Sequence, residues 1–355
     1  MKTLGIGIIG LHHLHPVDYL THFRALEQTE VRGIFEEDAT LRGEVCSKAG
    51  IQEHSELDEL LGREDIDLVV LFLPHADCPK AAEKAARAGK HLIVEKPMAA
   101  TAAGIRQMIE ATQKAGVTLS APYCWRCHPA AREIKRLVAD GVLGEVVALQ
   151  GRCAAGSVER YRANGIQPWI LDKEKGGGGP MHNLGVHWID LFRWLLEDEV
   201  QEVTGMVSHM QHHVEVEDNS FALLRFEGGA TASLDISYSV PNGYPAGRDL
   251  FIGIRGTRGA LSWMPAWGGT ADEVFVCSDR EDMVDGPVRT FQIGSSEVGG
   301  YGGISGLVYL RETAAAIAAG RPPEITGLDG LRALQVVEAV YKAADTGRAV
   351  AVDYQ

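Results

Sequence analysis

The first 120 residues alternate short, almost wholly apolar runs with segments of helical periodicity. That alternation leaves few folds open, because strands buried on both faces and joined by helical crossovers build a parallel, doubly wound sheet. Leu4 to Ile9 reads as the first strand, and Pro16 opens a helix whose apolar positions Val17, Leu20, Phe23 and Leu26 recur on one side. Val31 to Phe35 and Asp67 to Leu73 supply two further strands. Pro79 begins an alanine-rich helix that Gly89 stops, and His91 to Val94 returns to the sheet. Thr101 to Ala115 is a last helix, closed by Gly116, before a strand over Val117 to Ser120.

Beyond about residue 125 the pattern changes. Glu145 to Arg152, Phe221 to Phe226 and Ala230 to Ser237 read as strands, the last two joined as a hairpin through Glu227-Gly228-Gly229. The expected fold is therefore α/β: an N-terminal doubly wound Rossmann sheet over residues 1–122, followed by an α+β domain over 123–355 with a large open, mostly antiparallel sheet. The glycine run Gly176 to Gly179 is expected to be a flexible loop, since it has no side chains to pack. Helices over about Leu307 to Ala319 and Leu328 to Ala344 close the chain, and no internal repeat is visible.

A length of 355 residues suits two cores, and 45% of them are hydrophobic. Against 34 Lys and Arg stand 48 Asp and Glu, a formal charge of −14 that opposes binding to nucleic acid or to an anionic membrane. The N-terminal MKTLGIGIIG reads as a strand rather than a signal peptide, and the expected location is the cytoplasm. The six cysteines are expected to be free thiols. Cys124-Trp125-Arg126-Cys127-His128 matches the c-type haem attachment pattern and could also be a redox dithiol or half a zinc site. It has no export context and no second Cys/His pair at zinc spacing, so neither haem nor metal is expected.

Gly10 ends the first strand immediately before a helix, where a dinucleotide pyrophosphate meets a helix N-terminus. The usual G-x-G-x-x-G reads Gly10-Leu11-His12-His13-Leu14-His15 here, so only the first glycine remains. His12 occupies the place where bare backbone normally approaches the pyrophosphate, and either tilts the cofactor away or supplies a contact of its own. Together with His13 and His15 it could also be read as a metal cluster, although one loop rarely completes a tetrahedral site alone. Glu36, at the end of the second strand, is placed to accept hydrogen bonds from the adenosine ribose, and Glu37 follows it with no adjacent cation. This predicts NAD in preference to NADP; the plainer alternative is a solvated acidic turn.

His91-Leu92-Ile93-Val94-Glu95-Lys96-Pro97 resembles the E-K-P segment of the glucose-fructose oxidoreductase and inositol dehydrogenase family, Gfo/Idh/MocA. Ile66 to Val70 with Leu73-Pro74, Ala88-Gly89-Lys90-His91, Arg126 with Pro129, Gly185-x-His187-x-x-Asp190 and the closing Gly347-Arg348 resemble other segments of that family, so the likeness spans most of the chain. It implies an NAD(P)-binding Rossmann domain and a second domain whose open sheet often joins copies into a homo-oligomer. Lys96 would sit beside the nicotinamide and the reacting carbinol, and His187 would be the general acid/base. Pro74, His75 and Glu95 would join Gly10, His12, His13, Glu36 and Lys96 in holding the cofactor, while Tyr123, Arg126, Trp169 and His182 are candidates for the substrate pocket. Alcohol oxidation needs a proton acceptor and a cation near the developing alkoxide, and His187 and Lys96 offer that chemistry.

Two departures stand out. Asn183 replaces the family's aspartate four residues before the histidine, and Leu73-Pro74-His75-Ala76-Asp77-Cys78 stands for T-P-N-x-x-H. Asparagine can orient an imidazole but cannot stabilise imidazolium as a carboxylate does. The expected function is hydride transfer between NAD and a sugar or polyol carbon. The alternatives are a redox-neutral sugar enzyme that retains NAD, acting by elimination, epimerisation or glycoside cleavage, and a silent NAD- or sugar-sensing protein.

Overall fold

The computed structural model describes residues 3–163, 165, 167–210, 213–240, 243–244, 247–265, 272–294 and 298–355. Six strands, β1 (Leu4–Ile9), β2 (Thr29–Phe35), β3 (Glu53–His54), β4 (Leu68–Leu71), β5 (His91–Val94) and β6 (Leu119–Ser120), form a parallel sheet in the order β3-β2-β1-β4-β5-β6. The order reverses between β1 and β4, which opens a crevice at the carboxyl ends of those strands. β1 and β4 are buried along their whole length, as expected of strands with both faces covered. The helices that cover them are stopped and started by local chemistry. Asp38 accepts the amides of Thr40 and Leu41 ahead of the helix Ala39–Ala49, and Thr101 accepts that of Gly104 ahead of Ala102–Ala115. Gly116 ends the latter in the left-handed conformation.

The second sheet has nine strands: β7 (Val146–Ala155), β8 (Val200–Ser208), β9 (Asn219–Phe226), β10 (Thr231–Ser237), β11 (Arg248–Gly256), β12 (Gly259–Trp263), β13 (Asp272–Ser278), β14 (Val288–Ile293) and β15 (Val350–Ala351). Their order is β14-β13-β12-β11-β7-β10-β9-β8-β15, and only the β7–β10 pair is parallel. The helix Val186–Leu196 packs on one face, with Trp188 seated so closely on Gly151 that a Cβ there would stand 2.1 Å from its ring. On the other face Met206, Phe221, Leu223 and Phe275 are exposed.

Contacts divide the chain into two compact units of interleaved sequence. One comprises residues 1–124, 161–177 and 298–331, and the other 125–160, 178–297 and 332–355. Two segments that follow the first sheet in sequence, 161–177 and 298–331, thus pack in its unit. Among the described residues no helix is long and apolar enough to cross a membrane.

The glycine run is not the flexible loop expected from its composition. Gly176 ends a helical turn, Lys173–Gly176, and Gly176, Gly178 and Gly179 are buried. A Cβ at Gly178 would lie 2.3 Å from the Tyr341 hydroxyl, and one at Gly179 would lie 2.1 Å from the Glu217 carbonyl oxygen. Glycine is present because other groups approach the backbone too closely for any side chain.

Candidate active site

In the Rossmann unit a cleft of about 1010 Å³ opens at the carboxyl ends of the strands, lined by Gly10, His12, Glu36, Pro74, Trp169 and Lys175 among others. Gly10 has φ 91°, and a Cβ there would meet the Phe72 carbonyl oxygen at 2.9 Å, so the turn out of β1 requires glycine. Glu36 is buried; its Oε2 accepts the Leu11 amide at 2.6 Å and its Oε1 accepts the Asp38 amide at 3.0 Å. Each oxygen retains accepting capacity toward the cleft. His12, at the second-glycine position, keeps its side chain half exposed, with Nε2 3.7 Å from Asp38 and 4.0 Å from Glu36. Its carbonyl accepts the Trp169 indole N–H at 2.7 Å. Trp169, a substrate-pocket candidate in the sequence, is thereby tied to the turn after β1 and lines this cleft.

His75 is buried, and its Nδ1–H donates to the Gly176 carbonyl at 2.7 Å. The Trp169 ring meets it edge-on at 4.8 Å. An imidazole held this way, the glycine turn and the Glu36 carboxylate are a set of polar groups that suits a dinucleotide.

At the end of β5, Glu95 and Lys96 are both buried. Tyr19 donates to Glu95 Oε2 at 3.1 Å, and His15 Nδ1 lies 3.3 Å from Oε1 while its ring stacks on Tyr301 at 3.7 Å. Burial pushes the Glu95 carboxyl up, against the pull of His13, Lys96 and the Tyr19 hydroxyl. Burial, and then the charge of His15, hold His13 well below the usual histidine range. His13, His15 and Glu95 each bring a potential ligand atom within 4.8 Å of the others. His13 Nδ1, however, accepts the His15 amide at 3.2 Å, so the neutral ring carries its proton on Nε2 and offers a donor there rather than a lone pair. Tyr19, His13 and His15 thus gather around the Glu95 carboxylate, with the Tyr19 hydroxyl its hydrogen-bond donor. Tyr123, on the same unit, is fully buried.

The other unit carries the remaining candidates. Arg126 is buried, and its Nε donates to Asp190 at 2.8 Å while a second guanidinium nitrogen bonds the other carboxylate oxygen. This fork ties the residue to the helix Val186–Leu196. His182 and Asn183 lie in a π-helical turn, Met181–Gly185, that runs directly into that helix, and His187 is its second residue. All three are buried. Asn183 donates its amide to the Tyr238 hydroxyl at 3.0 Å, leaving its amide oxygen to accept elsewhere. Glu217, Tyr238 and Tyr341, which build the surroundings of this turn, were not found from sequence. They lie 36 or more residues from the atoms of the turn that they bond, and no local pattern joins them.

Residues 3–123 match the oxidoreductase family with an NAD-binding Rossmann fold, and residues 131–262 match the Gfo/Idh/MocA C-terminal domain. The chain belongs to the Gfo/Idh/MocA family of oxidoreductases. It is 29% identical over 308 residues to 1,5-anhydro-D-fructose reductase of Ensifer adhaerens, covering 84% of this chain and 83% of the relative. D-xylose 1-dehydrogenase (NADP(+)) 2 of Haloferax volcanii is 25% identical over 98% of this chain and 99% of its own. The solved aldose-aldose oxidoreductase of Caulobacter crescentus, complexed with glycerol, superposes with a TM-score of 0.83 at 27% identity, over 99% of this chain and all of that one.

Proposed function

We propose that the enzyme moves hydride between NAD and a carbinol or ketone carbon of a sugar or polyol. The observation that carries this reading is Lys96, an ammonium only 4% exposed at the carboxyl edge of the Rossmann sheet, where a lysine serving merely as a surface charge would be exposed. NAD, when bound, takes or returns the hydride. Lys96 stabilises the oxygen as it gains alkoxide character. His187, in its neutral form, accepts the hydroxyl proton, and Asn183 orients it. Glu95 and His13 hold the neighbourhood of Lys96, while Gly10, His12, Glu36, Pro74 and His75 hold the cofactor. Tyr123, Arg126 and His182 belong to the substrate side, Arg126 by way of its fork to Asp190.

NAD is preferred over NADP on the same reading. A 2′-phosphate beside the Glu36 and Glu37 carboxylates is repelled, and Arg42 is already engaged by the Glu36 carbonyl at 2.5 Å and by Glu53 at 3.2 Å. A tenfold difference in affinity corresponds to about 1.4 kcal/mol. Calorimetric titration with both nucleotides checks it, and equal affinities would remove Glu36 from the ribose. The exposed apolar face of the second sheet supports a homo-oligomer. The decisive experiment incubates the protein with NAD and a panel of sugars and polyols while following the reduced cofactor. NAD binding without turnover on any of them would shift the reading to a redox-neutral or sensing role.

A further inference from the structure

The first turn of a helix leaves backbone amides unpaired, and a side chain near its own first residue can accept them. The turn that carries His182 and Asn183 has none: it is entered through Gly178-Gly179-Pro180, and Pro180 makes no side-chain cap. Its amides are met from elsewhere. Glu217 Oε2 accepts the Gly179 amide at 2.9 Å, and Oε1 accepts that of Met181 at 3.2 Å. The Tyr341 hydroxyl donates to Oε1 at 2.7 Å and itself accepts the backbone amide of His182. Ser220 adds a fourth donor to the carboxylate at 3.2 Å. Gly178 and Gly179 leave just enough room for the Tyr341 hydroxyl and the Glu217 backbone and carboxylate to reach in.

We propose that Glu217 and Tyr341 are positioning residues for the reaction, a borrowed cap that fixes the turn bearing His182 and Asn183 and, through it, the placement of His187. The inference rests on the reading of His187 as the proton acceptor. A carboxylate at this end also complements the helix dipole, and single π-turns recur at functional sites. The backbone amide of Asn183 bonds the Gly179 carbonyl at 2.9 Å, so Gly179 is held by the cap on its N–H side and holds Asn183 on its C=O side. Displacement of a proton acceptor by about 1 Å is enough to lower turnover by 10².

Glu217→Gln and Tyr341→Phe test it with three readouts: amide hydrogen exchange over residues 178–187, calorimetric NAD affinity, and kcat and KM on a sugar that the wild type oxidises. The expected result is exchange at least tenfold faster across the turn and kcat lower by tenfold or more, with KM and NAD affinity within twofold. The double variant should be no worse than Glu217→Gln alone, because both act through one cap. Faster exchange with kcat unchanged would make the cap merely structural, and unchanged exchange would remove the cap altogether. A fall in kcat matched by loss of NAD binding would also overturn the proposal. Should Glu217→Gln fail to fold, Tyr341→Phe, which deletes one oxygen, carries the same readouts. A wild type inert toward every sugar would sink the dehydrogenase reading alone, and the exchange measurement would still decide whether the cap exists.

Discussion

At the scale of single residues, the proposed chemistry depends on one cation and one imidazole. Lys96→Met keeps most of the side-chain length and deletes the charge. Turnover should fall by about 10² or more, the scale of one preorganised electrostatic contact, with little change in melting temperature. Steady-state kinetics beside a thermal melt separates this from a structural lysine, whose loss would lower stability and activity together. Asn183→Asp makes the second test. A carboxylate in place of the amide favours protonated His187, so the acid limb of the oxidation rate should move to higher pH, by about one unit if the coupling is near 1.4 kcal/mol. An unmoved limb would place the proton elsewhere. These residues could be proposed from the sequence because each stands in a short local pattern: Lys96 after a buried strand, His187 in a spaced helical motif, Glu36 at a strand end. Arg126 was legible as a residue but not as half of an ion pair, because Asp190 is 64 positions away and nothing local to either announces the partner.

At the scale of elements, the parallel sheet could be read almost strand by strand, because strands buried on both faces appear as unbroken apolar runs. β1 and β5 fall where the sequence places them, at Leu4–Ile9 and His91–Val94. The second sheet was less legible. β13 alternates buried Val274 and Val276 with an exposed Phe275, so its apolar residues do not sort by face, and β8 likewise exposes Met206. Glycines divide by the same physics. Gly179→Ala would drive a Cβ into the Glu217 backbone and should cost about 1–3 kcal/mol, like other overpacked sites. Gly43, inside the helix Ala39–Ala49 with nothing within 4 Å of a new Cβ, should gain about 0.5–1 kcal/mol on replacement by alanine. Chemical denaturation of the two variants should give shifts of opposite sign; a shared sign would mean that the close approach at Gly179 does not govern stability.

At the scale of the whole molecule, burial sets the acid response. His13, His22, His54, His91 and His128 are all held below the ordinary histidine range, burial being the largest cause in each. Through these histidines the unfolded chain binds more protons than the folded one as pH falls through about 6.5, so their contribution to stability should be lost toward the depressed folded-state range, while Glu95 and Glu217, held up by burial, act in the opposite sense at lower pH. Thermal melts from pH 7.5 to 5 check the sign; a midpoint that rises on acidification would contradict it. Proposed self-association is the other matter at this scale. Met206, Phe221 and Leu223, at 75%, 53% and 61% exposure, share the open face of the nine-stranded sheet. Leu223→Glu should shift light-scattering mass toward one subunit, and a mass unchanged from wild type would direct attention to another surface.

The interleaving of the two units bears on how such a chain is made and inherited. Trp169, which is tied to the turn after β1, and Tyr301, which stacks on His15, both lie beyond residue 123 in sequence yet within the Rossmann unit. During synthesis the nucleotide cleft therefore has its strands long before it has its walls, and the unit is complete only once Leu331 has been added. No single cut in the gene releases either unit whole. Recombination that exchanged only the first third of the sequence would graft strands without the segments that pack beside them.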